Sequence, residues 1–205
     1  MCAGRSCQAS PRPTNGVRFM KRASLVITAL VLAAPVSAEE FALEDAVAVC
    51  SGCHGEDGIP ADAEFPIIWG QEFFYIYTQL KDYAAGRRES EIMTPIASEY
   101  SRDQMKDIAQ HFADRAWPGI EARAEDGDEK LAERGITGGQ CSACHGKWEG
   151  DSRIPRLAGQ QPGYLRKTML DFKNEVRMNA PDKISTMKQL SDETIEALSR
   201  YLASL

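Results

Sequence analysis

The sequence predicts an all-α protein built as a tandem of two small helical modules, and three observations predict it. No run of alternating polar and apolar residues is long enough to make a sheet. The chain matches itself at offsets of 89 to 91 residues, the mark of a duplicated module. Each copy also opens on the same five-residue pattern, Cys50-Ser51-Gly52-Cys53-His54 and Cys141-Ser142-Ala143-Cys144-His145.

The helical segments follow in the same order in both copies. Phe41 to Val49 and Glu129 to Ile136 are the expected lead helices that deliver the cysteines. A middle helix is expected over Glu72 to Ala85, stopped by Gly86, because glycine accepts the left-handed backbone that ends a helix. Ser101 is the expected N-cap of the last helix of the first copy, with Gln104 at the reciprocal capping position and Trp117-Pro118 as the closing signal. Ser191 opens its counterpart, followed by Asp192 and Glu193 at the positive end of the helix dipole. Between the copies, residues 119–128 hold four acids and two glycines and read as a solvated linker.

The duplication can be followed residue by residue. Phe65-Pro66-Ile67-Ile68-Trp69-Gly70-Gln71 matches Ile154-Pro155-Arg156-Leu157-Ala158-Gly159-Gln160 at offset 89. Tyr75 then meets Tyr164, Asp82 meets Asp171 and Arg88 meets Arg177, while Ser101 meets Ser191 at offset 90. The expected organisation is residues 39–118 as the first domain, 119–128 as the linker and 129–205 as the second domain.

Residues 1–38 read as upstream sequence and a cleaved export signal. Lys21-Arg22 precedes an apolar run from Ala23 to Ala34, and Pro35-Val36-Ser37-Ala38 supplies a small-residue cleavage site. Met20 directly before the basic pair is the expected true start. The apolar run is too short to span a membrane, so the mature chain is expected to carry no transmembrane span and to work in the periplasm. Cleavage removes five basic and no acidic residues, leaving 167 residues with 19 basic against 30 acidic side chains, a net charge of −11. So acidic a chain is a poor partner for nucleic acid, and its own partners are expected to present a basic docking face.

With Cys2 and Cys7 in the removed segment, the four remaining cysteines all fall in the two C-x-x-C-H patterns. Two thiols three residues apart reach the two vinyl groups on one edge of a haem, and the following histidine falls beneath the iron. A redox pair or half a zinc site would need neither the repeated histidine nor an exported chain. Cys50, Cys53 and His54 are thus assigned to one covalently attached haem c, and Cys141, Cys144 and His145 to a second.

His111 is the only other histidine, and it aligns with Tyr201 inside the last helix, which makes it a packing or half-exposed residue. The distal ligands are therefore expected to be methionines, whose thioether raises the potential of iron. Met93, 39 residues after His54 in a Met-Thr-Pro-Ile-Ala turn, is the expected ligand of the first haem. The second copy is less tidy, because its counterpart positions are Asp182 and Lys183. Met187 is favoured there, with Met178, Lys183 and an open site as alternatives. Pro66 and Pro155 are placed to offer a backbone carbonyl to the proximal imidazole N–H. Arg88 and Arg177 are candidates to pair with haem propionates, the alternative being solvated surface charges. Tyr75 and Tyr164 are expected to pack against haem.

With both haem motifs, the P-x-x-x-G-Q segments and the Met-x-Pro-Ile-Ala turn, residues 40–205 resemble the two-haem periplasmic cytochromes of the cytochrome c4 family. The resemblance implies two class I cytochrome c domains about a pseudo-twofold axis, His/Met ligation and electron transfer towards terminal oxidases. The chain is also similar to the two-haem subunit of flavocytochrome c sulfide dehydrogenases. The leading expectation is an electron carrier rather than an enzyme, passing single electrons between respiratory donors such as a bc-type complex and a terminal oxidase or other acceptor. The alternatives are a haem subunit docked on a flavoprotein dehydrogenase, or a dihaem enzyme acting on thiosulfate or peroxide.

Overall fold

The computed structural model describes residues 41–205, and the expected export segment, its cleavage site and the Met20 start lie outside the described residues. Nine α-helices are found there, with one isolated bridge between Asp151 and Ile154 as the only sheet-like pairing among the described residues. The all-α tandem is therefore observed. None of the described helices is long and apolar enough to cross a membrane.

The first copy runs α1 (Leu43–His54), α2 (Phe73–Ala84), α3 (Met93–Ser98) and α4 (Arg102–Ala113). The second runs α5 (Asp128–Gly138), α6 (Ser142–His145), α7 (Pro162–Lys173), α8 (Pro181–Met187) and α9 (Asp192–Ala203). The lead helix of the first copy continues through its whole cysteine motif, whereas the second breaks between α5 and α6. Gly138-Gly139 weakens the helix there, and Gln140 takes a left-handed φ of 52°. The Met-Thr-Pro-Ile-Ala segment, expected as a turn, is the short helix α3, because Pro95 falls within its first turn where no backbone donor is missed.

The caps follow from local chemistry. The Ser101 hydroxyl accepts from the Gln104 N–H while the Gln104 side chain accepts from the Ser101 N–H, a complete capping box. Ser191 caps α9 by accepting from the Thr194 N–H. The apolar face of α4 buries Met105, Ile108 and Phe112 against Ile76 and Leu80 of α2. In the second copy, Ile195, Leu198 and Leu202 of α9 bury against Leu165, Met169 and Phe172 of α7.

The stretch expected as a solvated linker is only partly so. Ile120 and Ala122 pack on the second core, and Asp128 is the first residue of α5, buried to 3% exposure. It accepts two hydrogen bonds of 2.8 Å from Arg200 of α9, a partner 72 residues away that no local pattern announces.

Candidate haem sites

One cavity of about 1130 Å³ touches both cysteine motifs, which exceeds the roughly 300–1,000 Å³ typical of a pocket for one small ligand. Its walls include Cys50, Cys53 and His54 of the first copy and Cys141, Cys144 and His145 of the second. α1 presents the first three, Cys141 and the α6 that follows it present the second three, and apolar side chains of the two cores, such as Ile108 and Leu198, complete the walls.

The imidazoles are held in the state that metal binding requires, neutral with one ring nitrogen available. Burial pulls the pKa of His54 down, opposed by a 2.8 Å hydrogen bond from its Nδ1 to the carbonyl of Pro66. That bond fixes the tautomer and turns Nε2 away from Pro66. His145 is lowered to about 4 by burial and then by the positive charge of Lys183, with the Pro155 carbonyl pulling weakly the other way. Its Nδ1 is buried without a hydrogen-bond partner among the described residues, so Pro155 stands near the ring but does not reach it as Pro66 does. Burial likewise raises the thiol of Cys50 to about 11.

Met93 opens α3, half-buried on the cavity wall, its N–H donating to the Ser90 hydroxyl at 3.1 Å. Met187 closes α8 at 9% exposure as a member of the second core, and it also borders the cavity. Met178 is 53% exposed and is not among the cavity-lining residues. Lys183 is half-buried on the cavity wall. His111 sits on the outer side of α4, paired with Arg115 at 3.0 Å.

Arg88 and Arg177 are not surface charges. They are buried to 9% and 6% exposure and cross between the copies. Arg88 donates to Gln79 at 2.8 Å and to the Tyr164 hydroxyl of the second copy at 3.3 Å. Arg177 donates to Gln79 of the first copy at 2.9 Å and lies 3.5 Å from the Tyr75 hydroxyl. Neither guanidinium has a carboxylate partner among the described residues. Burial pushes the Tyr164 phenol up, yet the two guanidiniums overcome this and hold it down at about 7. Two buried cations without a carboxylate partner, lining one cavity, form a place for anions. Haem, an apolar ring bearing two carboxylates, fits this combination of apolar walls, paired thiols, neutral imidazoles and buried guanidiniums.

Sequence reasoning missed the residues that join the two sites. Gln71 accepts from the Arg156 N–H at 2.7 Å and donates to its carbonyl at 3.1 Å. Gln160 does the same to Ile67, at 2.8 and 2.9 Å. Ile67 and Arg156 are themselves counterparts at offset 89, so the two clamps are related by the duplication. The preceding glycines have a matching reason. Gly70, at φ 66°, donates to the Phe112 carbonyl, and Gly159, at φ 69°, donates to that of Leu202. A Cβ on Gly70 would stand 2.8 Å from the Trp117 backbone nitrogen. The repeated Gly-Gln pair is the signal that could have found the clamp.

Two C-x-x-C-H motifs on one cavity of this size and chemistry define a two-haem c-type cytochrome, an electron-transfer protein. Known proteins give the class its family, although no family model matches the chain. It is 32% identical over 183 residues to cytochrome c4 of Azotobacter vinelandii, spanning 77% of this chain and 85% of that one. It is 31% identical over 173 residues to a thiosulfate dehydrogenase electron acceptor of Stutzerimonas stutzeri, spanning 78% and 80%. The crystal structure of reduced recombinant cytochrome c4 from Pseudomonas stutzeri superposes with a TM-score of 0.71 at 30% identity, covering 81% of this chain and 100% of that one. The chain belongs to the cytochrome c4 family: two class I cytochrome c domains carrying two covalently attached haem c groups.

Proposed function

We propose that the chain is a periplasmic carrier that takes single electrons from respiratory donors and passes them to a terminal oxidase or another acceptor. The observation that carries this reading is the shared cavity, whose walls include both motifs, the buried Arg88 and Arg177, and the Gln71 and Gln160 clamps. Haem iron supplies the one-electron change between Fe(II) and Fe(III). The chain's part is to attach, orient and shield. Cys50 and Cys53 would attach the first haem covalently, with His54, oriented by the Pro66 carbonyl, and Met93 as the residues that would hold its iron. Cys141, Cys144 and His145 would do the same for the second. Arg88 and Arg177, buried without a carboxylate partner among the described residues, would pair with haem propionates. Residues 39–118 and 129–205 are the two domains, joined through residues 119–128.

Because a similar protein is named a thiosulfate dehydrogenase electron acceptor, docking on a dehydrogenase is the second reading. The net charge of −11 expected after export suits a basic face on either partner. The test is to reduce the purified holoprotein and follow its oxidation by membranes of its own cells, with fractionation to place it in the periplasm. Fast oxidation that slows as salt is raised supports the carrier. Retention by a larger dehydrogenase chain through purification, with no oxidation by membranes, favours the docked subunit instead.

A further inference from the structure

The distal side of the second haem site can be read from the register of α3 and α8. Both helices lead into a serine-capped helix, Ser101 into α4 and Ser191 into α9, ninety positions apart. The backbone between repeats at that offset: Glu99 N–H donates to Ile96 and Gln189 N–H to Thr186, while Tyr100 N–H donates to Ala97 and Leu190 N–H to Met187. Exposure repeats as well. Ala97 and Met187 are both buried, Ile96 and Thr186 half-buried, Pro95 and Ser185 exposed. The structural counterpart of Met187 is thus Ala97, a core residue with no exposed surface, and the counterpart of Met93 is Lys183.

We propose that Lys183, through its Nζ, is the distal ligand of the second haem iron opposite His145, and that Met187 fills core beside it. Lys183 borders the cavity that His145 and Cys144 border. Among the described residues it makes no salt bridge and donates no side-chain hydrogen bond, in contrast to Lys167, Lys173 and Lys188, which each pair with a carboxylate. Its stem is long enough to lie along apolar wall while the head reaches inward. Met187 stands one helical turn further on, on the same face, packed among the second core. Coordination uses the lone pair of the neutral amine, so Lys183 gives its proton to solvent on binding, as other protonated metal ligands do. A nitrogen donor is harder than a thioether and favours Fe(III). The second haem therefore sits at a lower potential than the first, and the electron rests on the first.

This inference rests on the two-haem reading, and the test separates the two. Haem content of the exported wild-type protein is measured first, where one haem per chain overturns the two-haem reading itself. With two haems present, proton NMR of the reduced protein and the far-red charge-transfer band of the oxidised protein count methionine ligands. The expected result is one methionine set, a low-spin second haem, an unchanged count in Met187→Leu, and a second set with a doubled band in Lys183→Met. Lys183→Gln should convert the second haem to high spin. Two methionine sets in the wild type, one of them lost in Met187→Leu, overturn the proposal, as does a high-spin second haem in the wild type.

Discussion

The side-chain amide of Gln160 grips both backbone polar groups of Ile67, accepting from its N–H at 2.8 Å and donating to its carbonyl at 2.9 Å. Ile67 is 1% exposed, so no water can stand in for a missing partner. Gln160→Ala leaves both backbone groups of Ile67 unsatisfied, a loss of about 2–6 kcal/mol at roughly 1–3 kcal/mol per orphaned group. We expect a clearly lower denaturant midpoint for the holoprotein and slower electron exchange between its haems. A midpoint equal to wild type would show that the clamp does not hold the copies together. Gln71→Ala should cost less, because its partner Arg156 is less deeply buried.

Asp128 and Arg200 give a prediction with a pH signature. Hydrogen bonds from Arg200 hold the Asp128 carboxyl below its ordinary range, against the opposing effect of burial. A folded-state pKa below the unfolded one contributes stability above the unfolded value, and this is lost as pH falls through the folded value. Asp128→Asn should therefore cost about 1–3 kcal/mol near neutrality, where the charge-assisted pair is complete. The difference from wild type should begin to shrink below about pH 4 and be lost as pH falls through the depressed folded value. Denaturant midpoints of both proteins across that interval test the sign. A gap that stays constant with pH would mean that the pair contributes by packing alone.

These two relationships mark the limit of what the sequence discloses. The cysteine motifs, the serine caps and the offset of the duplication are local or repeated, so residue type and spacing alone assign Cys50, His145, Ser101 and Ser191. Asp128 reads as linker because its acidic neighbours are solvated, and its partner stands 72 residues away on α9. Gln71 and Gln160 repeat visibly, but a side chain that clamps a backbone 85 or 93 residues distant leaves no trace at its own position. Residue type favours Met187 over Lys183, because a thioether is the familiar partner of haem iron. The register of Met187 with Ala97 is a property of the α8 backbone and its hydrogen bonds, which residue type does not carry.

Arg177 should tune both haems at once. It is 6% exposed, reaches Gln79 and Tyr75 in the other copy, and lines the shared cavity. A buried positive charge disfavours the more positive ferric iron, so Arg177→Leu should lower both reduction potentials. The shift expected is on the order of 1 kcal/mol for a unit charge at an effective dielectric constant near 20. Arg177→Lys keeps the charge but loses the planar fork and should shift both potentials less. A redox titration that moves only the second potential would mean that Arg177 acts within its own copy and not at the common centre.

Met93 offers the simplest measurement and reaches furthest. It opens α3 on the cavity wall, backed by the Ser90 hydroxyl that accepts its N–H and by the Thr94 hydroxyl, which accepts from the Ser90 N–H. Its position is set by this local network, so Met93→Leu keeps the helix and the burial while removing the sulfur. The first haem should lose its distal donor, turn high-spin and fall in potential, since the thioether is what raises it. The diagnostic part is the far-red band. If Met93 is the chain's single sulfur ligand, the whole band vanishes in Met93→Leu and the second haem keeps its low-spin spectrum. If half the band survives, the second haem also carries sulfur, and Met187 rather than Lys183 becomes the residue to replace next.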